Sequence, residues 1–140
     1  MKLRLKNING REVNKTVTNY IIDWDKKSKS QFQFNVKQFL RPLWCHQICF
    51  EEFPVYGTLQ RVDFLNATKK IAIEVNGRQH TEYVEHFHKN KANYLKSIKR
   101  DWIKTEWLES NDYQLIEIEQ KDMTKLSVDW IAEEFNIEID

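Results

Sequence analysis

The sequence predicts a mixed α/β fold: a four-stranded mixed sheet flanked by helices, with a β-hairpin at the N-terminus. Three observations carry that reading. Ile71, Ile73 and Val75 alternate with Ala72, Glu74 and Asn76, following a strand-like run Arg61-Val62-Asp63-Phe64-Leu65 and a short connection through Ala67-Thr68-Lys69-Lys70; this is the two-residue period of paired strands. Phe87, Tyr94, Ile98 and Trp102, with Leu95 beside them, recur at helical spacing. Gln114-Leu115-Ile116-Glu117-Ile118-Glu119 then reads as a strand followed by a further amphipathic segment. A helix, three strands, a helix, a strand and a helix in that order describe a sheet covered by helices.

The elements follow in chain order. Leu3 and Leu5 alternate with Lys2, Arg4 and Lys6, Asn9-Gly10 is a preferred two-residue turn, and Val13, Val17 and Tyr20-Ile21-Ile22 supply the returning β-branched residues of a hairpin with one apolar and one basic face. Ser30 is a natural N-cap for a helix from Gln31 to Leu40, with Phe32, Val36, Phe39 and Leu40 on one stripe and Arg41-Pro42 as its stop. Ile48-Cys49-Phe50 and Glu51-Glu52-Phe53 open the main sheet and lead through Pro54 and Gly57 into the 61–76 pair. A long helix covers 91–109, its aromatics are read as core, and Ser110-Asn111-Asp112 ends it. Thr124 is the expected cap of a last helix carrying Leu126, Trp130, Ile131 and Phe135. Residues 1–27 divide off as a basic hairpin, with 28–140 as the main domain.

Composition sets bounds without choosing a function. A chain of 140 residues has room for one domain with a real core. No stretch reaches the roughly 20 apolar residues of a membrane span, and Met1-Lys2-Leu3-Arg4-Leu5-Lys6 lacks the apolar core of a signal peptide, so a cytoplasmic location and no membrane partner are expected. Cys45 and Cys49 do not make a disulfide framework. The net charge of +1 hides an asymmetry. Met1–Lys29 sets eight Lys and Arg against Glu12, Asp23 and Asp25, and 78–104 is also basic, whereas the tail carries Asp122, Asp129, Glu133, Glu134, Glu138 and Asp140. Such a distribution suits a polyanion-facing side and an acidic far side, or simply two solvated faces.

The most informative residues are Asp63 and Glu74. A short connection brings the two carboxylates side by side on adjacent strands, where they repel unless a divalent cation lies between them. The plainer alternative is a solvent-face pair bridged to Lys69 or Lys70. Asp101 and Lys104 are spaced for an i,i+3 pair.

Asp63, ten residues, then Glu74-Val75-Asn76 resembles the PD-(D/E)xK nuclease core, whose helix–strand–strand–strand–helix–strand order carries this signature on its second and third strands. More closely, Glu74-Val75-Asn76-Gly77-Arg78-Gln79-His80 followed by a helix with Arg100-Asp101 and Lys104 resembles the branch of very-short-patch repair and EDxHD homing endonucleases. Phe32-Gln33, Phe39-Leu40 and Glu51-Glu52-Phe53-Pro54-Val55 also match small phage-encoded relatives of that branch. The resemblance spans about 28–119 and implies a restriction-endonuclease-like core. This chain departs from the pattern at Asn76, where Lys is usual, and at Gln33, where the branch has a carboxylate.

The resemblance implies a metal-dependent endonuclease acting on double-stranded DNA, with Mg²⁺ held by Asp63, Glu74 and the Val75 carbonyl and Mn²⁺ able to substitute. Phosphodiester hydrolysis needs an activated water, neutralised charge at phosphorus and a stabilised leaving oxygen. Asn76 would orient by hydrogen bonding, His80 would act as acid or base with Asp101 supporting it, and Gln33 would coordinate weakly or contact phosphate. Arg61, Arg78 and Lys104, with Lys2, Arg4 and Lys6 of the hairpin, are the expected DNA contacts. One active site cuts one strand, so a homodimer is expected of an enzyme that cuts both. In a phage-encoded enzyme the cytoplasm would be that of a bacterial host. A non-catalytic nucleic-acid-binding module on a nuclease fold and a repair-type nicking enzyme remain as alternatives. Cys45, His46, Cys49, His80, His86 and His88 offer ligands for a structural zinc, but Trp44 and Ile48 around the cysteines favour buried free thiols.

Overall fold

The computed structural model describes residues 1–76 and 91–140, with the backbone alone over 91–98. Strands β1 (Lys2–Lys6) and β2 (Glu12–Thr16) form an antiparallel hairpin. Helix α1 (Gln31–Trp44) follows, then β3 (Cys49–Pro54), β4 (Arg61–Asn66) and β5 (Ile71–Asn76), helix α2 (Lys91–Ser110), β6 (Gln114–Glu119) and helix α3 (Val128–Phe135). The main sheet has the order β3-β4-β5-β6, with β3, β4 and β5 antiparallel and β5 and β6 parallel. The architecture is the mixed sheet with flanking helices and N-terminal hairpin that the sequence predicts.

Alternation along the strands sends neighbouring residues to two cores. Phe64, Ile71, Ile73, Ile116 and Ile118 pack with Phe32, Val36, Leu40 and Trp44 of α1, and with Ile131, Ile137 and Ile139. Leu65 and Ala72 face the other way and join Leu5, Val17, Phe50, Phe53, Val62, Trp107, Leu108 and Tyr113. β5 is therefore covered on both faces along its first half rather than half-exposed as its polar positions suggested; only Glu74, Val75 and Asn76 reach partial exposure. Among the described residues no helix is long and apolar enough to cross a membrane.

Several element ends differ from expectation, each for a tertiary reason. Helix α1 runs through Pro42 to Trp44, because Trp44 continues the Phe32-Val36-Leu40 stripe into the core and its indole donates to the Ile139 carbonyl at 2.8 Å. Ser30 does cap α1, accepting from the Gln33 amide at 3.1 Å. The β1–β2 connection is a loop over 7–11 organised by Asn7, whose side chain accepts from the Asn9 and Arg11 amides, rather than a two-residue Asn9-Gly10 turn. Val17 is buried beyond the end of β2, and a 3₁₀ turn occupies Thr18–Tyr20. Thr124 ends a 3₁₀ turn, and the cap of α3 is Ser127, which accepts from the Trp130 amide at 3.0 Å. Among the described side chains of α2 the core aromatic is Trp107, 2% exposed, whereas Trp102 is 63% exposed. Phe87 lies outside the described residues, as do the side chains of Tyr94, Leu95 and Ile98.

Candidate active site

The β4–β5 turn sets the register that makes the site. Asn66, buried, accepts from the Lys69 amide and so holds that turn, giving the pairs Asn66↔Ile71, Leu65↔Ala72 and Phe64↔Ile73. One step further Asp63 faces Glu74, and there the ladder stops. The Val75 amide donates to Asp63 Oδ2 at 2.8 Å, so a side chain takes over where the two backbones part.

Glu74 is the electrostatic centre of the opening. Burial, then the charge of Asp63, pushes its carboxyl up to about 8, against the opposing pull of Lys104. Lys104 Nζ stands 3.0 Å from Glu74 Oε1, both side chains 18% exposed. That buried oxygen has no aligned hydrogen bond. Neither lysine of the β4–β5 turn bridges the carboxylates: Lys69 donates to the Asp140 carbonyl and Lys70 lies over the Tyr113 ring. Lys104 therefore pairs with Glu74 across the sheet face rather than with Asp101 on its own helix.

A cleft of about 180 Å³ opens here, walled by Glu74 and Asn76 of β5, Asp101, Lys104 and Thr105 of α2, and Glu117 of β6. Val75 lines it as well. Glu117 was not among the sequence candidates. The parallel register sets it beside Glu74, an acid on an exposed strand position whose only sequence signal is the break it makes between Ile116 and Ile118. Glu74, Asn76, Asp101 and Lys104 are thus gathered around one opening, while Asp63, buried, adjoins it through Glu74 without lining it. Arg61 is exposed at the start of β4, two residues before Asp63.

Gln33 lies elsewhere. The flanking pairs Glu51↔Phe64 and Phe53↔Val62 bracket Glu52, which has φ 54°. This left-handed residue slips the phase of β3, so that Phe50 and Phe53 share a core although three residues apart. Both Glu51 and Glu52 consequently reach α1, where the Gln33 amide donates to Glu51 Oε2 at 3.0 Å and Glu52 Oε1 at 3.1 Å. An amide can donate to two carboxylates at once and a glutamate cannot, which accounts for glutamine at this position. Gln33 is buried on the α1 side of the sheet, while the cleft lies on the α2 side.

Gly77, Arg78, Gln79, His80, His86 and His88 lie outside the described residues. Among the described residues no group of three or more His, Cys, Asp or Glu is placed to hold a metal. Cys45 is exposed, while Cys49 is buried with its thiol 3.8 Å from the Trp44 carbonyl, and burial pushes that thiol up to about 12, away from the thiolate a zinc ligand requires.

The raised Glu74 carboxyl has a consequence for stability without metal. The folded state keeps a proton that the unfolded chain releases near 4.5, so this contribution is present below that pH and is lost as pH rises through about 8. In EDTA the wild type is expected to lose stability from pH 6 to 9. Glu74→Gln should remove the slope and be more stable at pH 9 by on the order of 2 kcal/mol, read from urea titrations at several pH values. Parallel pH profiles for the two proteins would show that Glu74 is ionised throughout.

No protein-family model matches the chain, and no solved structure matches it. Two viral proteins of unassigned function are similar to part of it. Uncharacterized protein 307L of Invertebrate iridescent virus 6 is 35% identical over 57 residues, 41% of this chain and 29% of that protein. Uncharacterized protein 033L of Invertebrate iridescent virus 3 is 32% identical over 65 residues, 46% of this chain and 34% of that protein. The matched segments thus span about a third of each relative's length.

Proposed function

We propose that this chain is a divalent-metal-dependent endonuclease hydrolysing phosphodiester bonds in double-stranded DNA, in the manner of a virus-borne homing endonuclease. One observation carries the reading: Asp63 and Glu74 stand opposed at the point where β4 and β5 part, with the Lys104 ammonium 3.0 Å from Glu74. Two adjacent acids, Asp63 buried and Glu74 partly so with an oxygen lacking an aligned hydrogen bond, suit a hard cation that takes oxygen ligands and keeps several waters. Asp63, Glu74 and the Val75 carbonyl would hold it. Bound there, Mg²⁺ or Mn²⁺ supplies an activated water and charge neutralisation at phosphorus.

The chain's own residues would do the rest. The Val75 amide fixes the orientation of the Asp63 carboxylate. Lys104 brings from α2 the positive charge that Asn76 cannot carry on β5, placed to meet a non-bridging phosphate oxygen. Asn76, on the same strand face as Glu74, lines the cleft and would orient water or phosphate there. His80 as acid or base, supported by Asp101, remains part of the proposal. One cleft cuts one strand, so two copies would cut a duplex and a single copy would nick it, which is how a repair-type nicking enzyme would use the same residues. The viral source of the two relatives is compatible with a virus-borne enzyme working in the host cytoplasm.

A non-catalytic DNA-binding module is the second reading. It is favoured by the Lys104–Glu74 contact, which gives Glu74 a partner without a metal, and by the departures at Asn76 and Gln33. Incubation with supercoiled and linear duplex libraries in Mg²⁺, Mn²⁺ or EDTA separates the two. The expected result is metal-dependent nicks or breaks, with Lys104→Met slower by about 10²–10³-fold and duplex affinity little changed. Binding with no product from any substrate would favour the module.

A further inference from the structure

The hairpin is fastened to the body beside the cleft. The Trp107 indole donates to the Lys6 carbonyl at 2.7 Å, and Asn111 both accepts from the Lys6 amide at 2.7 Å and donates to its carbonyl at 3.2 Å. Leu5 is buried in the same core as Trp107. At the far end the Ile8 amide donates to the Tyr56 carbonyl at 3.0 Å, and Ile8 lies over Gly57, where φ is +101° and a Cβ would come within 2.5 Å of Ile8 Cγ1. Trp107 is three residues beyond Lys104 on α2, about one helical turn of some 5 Å. The hairpin and the carboxylates thus share one supporting helix.

Its outward face is cationic. With Leu5 turned inward, alternation turns Lys2, Arg4 and Lys6 outward, opposite Thr16, Asn14 and Glu12. Arg4 is paired with Glu12, while Lys2 and Lys6 have no ion pair among the described residues. From Lys2 to Lys6 the strand rises about 13 Å, close to the axial rise of four phosphates along one DNA strand at roughly 3.4 Å each.

We propose that the outward face of β1 is a second DNA contact, in which Lys2, Arg4 and Lys6 grip the phosphate backbone of a duplex whose scissile bond lies in the cleft. This rests on the endonuclease reading for the identity of the polyanion. The contact carries no sequence information and fixes the orientation of the duplex along α2. Because the hairpin is anchored at Lys6 and at Ile8, little ordering entropy opposes the contact.

The test uses the full chain in EDTA with a labelled 20-base-pair duplex, so that binding is read whether or not the protein cuts. Affinity is measured from about 50 to 200 mM salt for the wild type, a Lys2→Gln/Arg4→Gln/Lys6→Gln variant and a Lys121→Gln/Lys125→Gln control, after melting curves show equal folding. The hairpin variant should lose tenfold or more in affinity, and its slope of log K against log salt should be shallower by about 2–3, at some 0.9 per lost phosphate contact. The control should keep both. Equal slopes for wild type and hairpin variant, or an equal loss in the control, would overturn the hairpin contact and leave the nuclease reading to its cleavage test. A wild type that binds no duplex at 50 mM salt would overturn both.

Discussion

Alanine at Asp63 or at Glu74 is expected to lower duplex cleavage by at least about 10³-fold, some 4 kcal/mol of transition-state stabilisation, while leaving most of the DNA affinity in place. The two effects separate because they have different sources: affinity for duplex comes chiefly from phosphate contacts spread over basic side chains, whereas the reaction needs the cation held at one point. Of the two, Asp63→Ala should also disturb the fold locally. Its Oδ2 is the acceptor for the Val75 amide, and without it a backbone donor loses its partner where β4 and β5 part. Asp63→Asn keeps an acceptor for that amide and removes the charge. Loss of cleavage in Asp63→Asn with an unchanged melting temperature would isolate the charge as the functional element. Metal-dependent cleavage at wild-type rates in both Asp63→Asn and Glu74→Ala would remove this cleft from consideration.

The largest expected loss of stability is at Lys37. This lysine is 0% exposed, and its ammonium donates to Glu51 Oε1 and to the Lys26 carbonyl, both at 2.8 Å. Glu51 also accepts from Ser28 at 2.6 Å and from Gln33, so one acid ties the 26–30 segment, α1 and β3 together. Lys37→Ala would leave Glu51 without its counter-charge at a site 14% exposed. Breaking one side of such a pair costs about 3–5 kcal/mol, a fall in melting temperature on the order of 10–15 °C for a chain of this size. Replacing both partners, as in Lys37→Met/Glu51→Leu, should recover a large part of the loss, because no buried charge is then left unpaired. A Lys37→Ala variant within about 1 kcal/mol of wild type would show that water reaches Glu51.

Lys37 also marks where the sequence stops being informative. It sits on α1 between Val36 and Leu40, and helical spacing gives no sign that a lysine there is enclosed. Its burial follows from the phase slip at Glu52, which turns Glu51 and Glu52 alike toward α1. For the same reason Gln33, a site candidate by resemblance, is occupied with two glutamates on the opposite side of the sheet. Long-range packing likewise buries Trp107 of α2, leaves Trp102 exposed and carries α1 past Pro42.

What local pattern does encode came through well. A short turn with alternating strands on either side permits few registers, and it puts Asp63 opposite Glu74. The strand Gln114–Glu119 was readable to its ends because alternation and turn residues bound it on both sides. Asp101 and Lys104 reach the cleft because α2 packs over β5 and β6, and Glu117 joins them through the parallel register, a pairing between segments some 40 residues apart that no local pattern reports.

The most direct measurement is a calorimetric titration of Mg²⁺ and Mn²⁺ into wild type, Asp63→Asn and Glu74→Gln at neutral pH without DNA. Saturable binding to the wild type, lost in both variants while their melting curves stay cooperative, is the result expected of a cation held between these carboxylates. Binding that survives in both variants, or a wild type that takes up neither metal at millimolar concentration with or without duplex present, would contradict it.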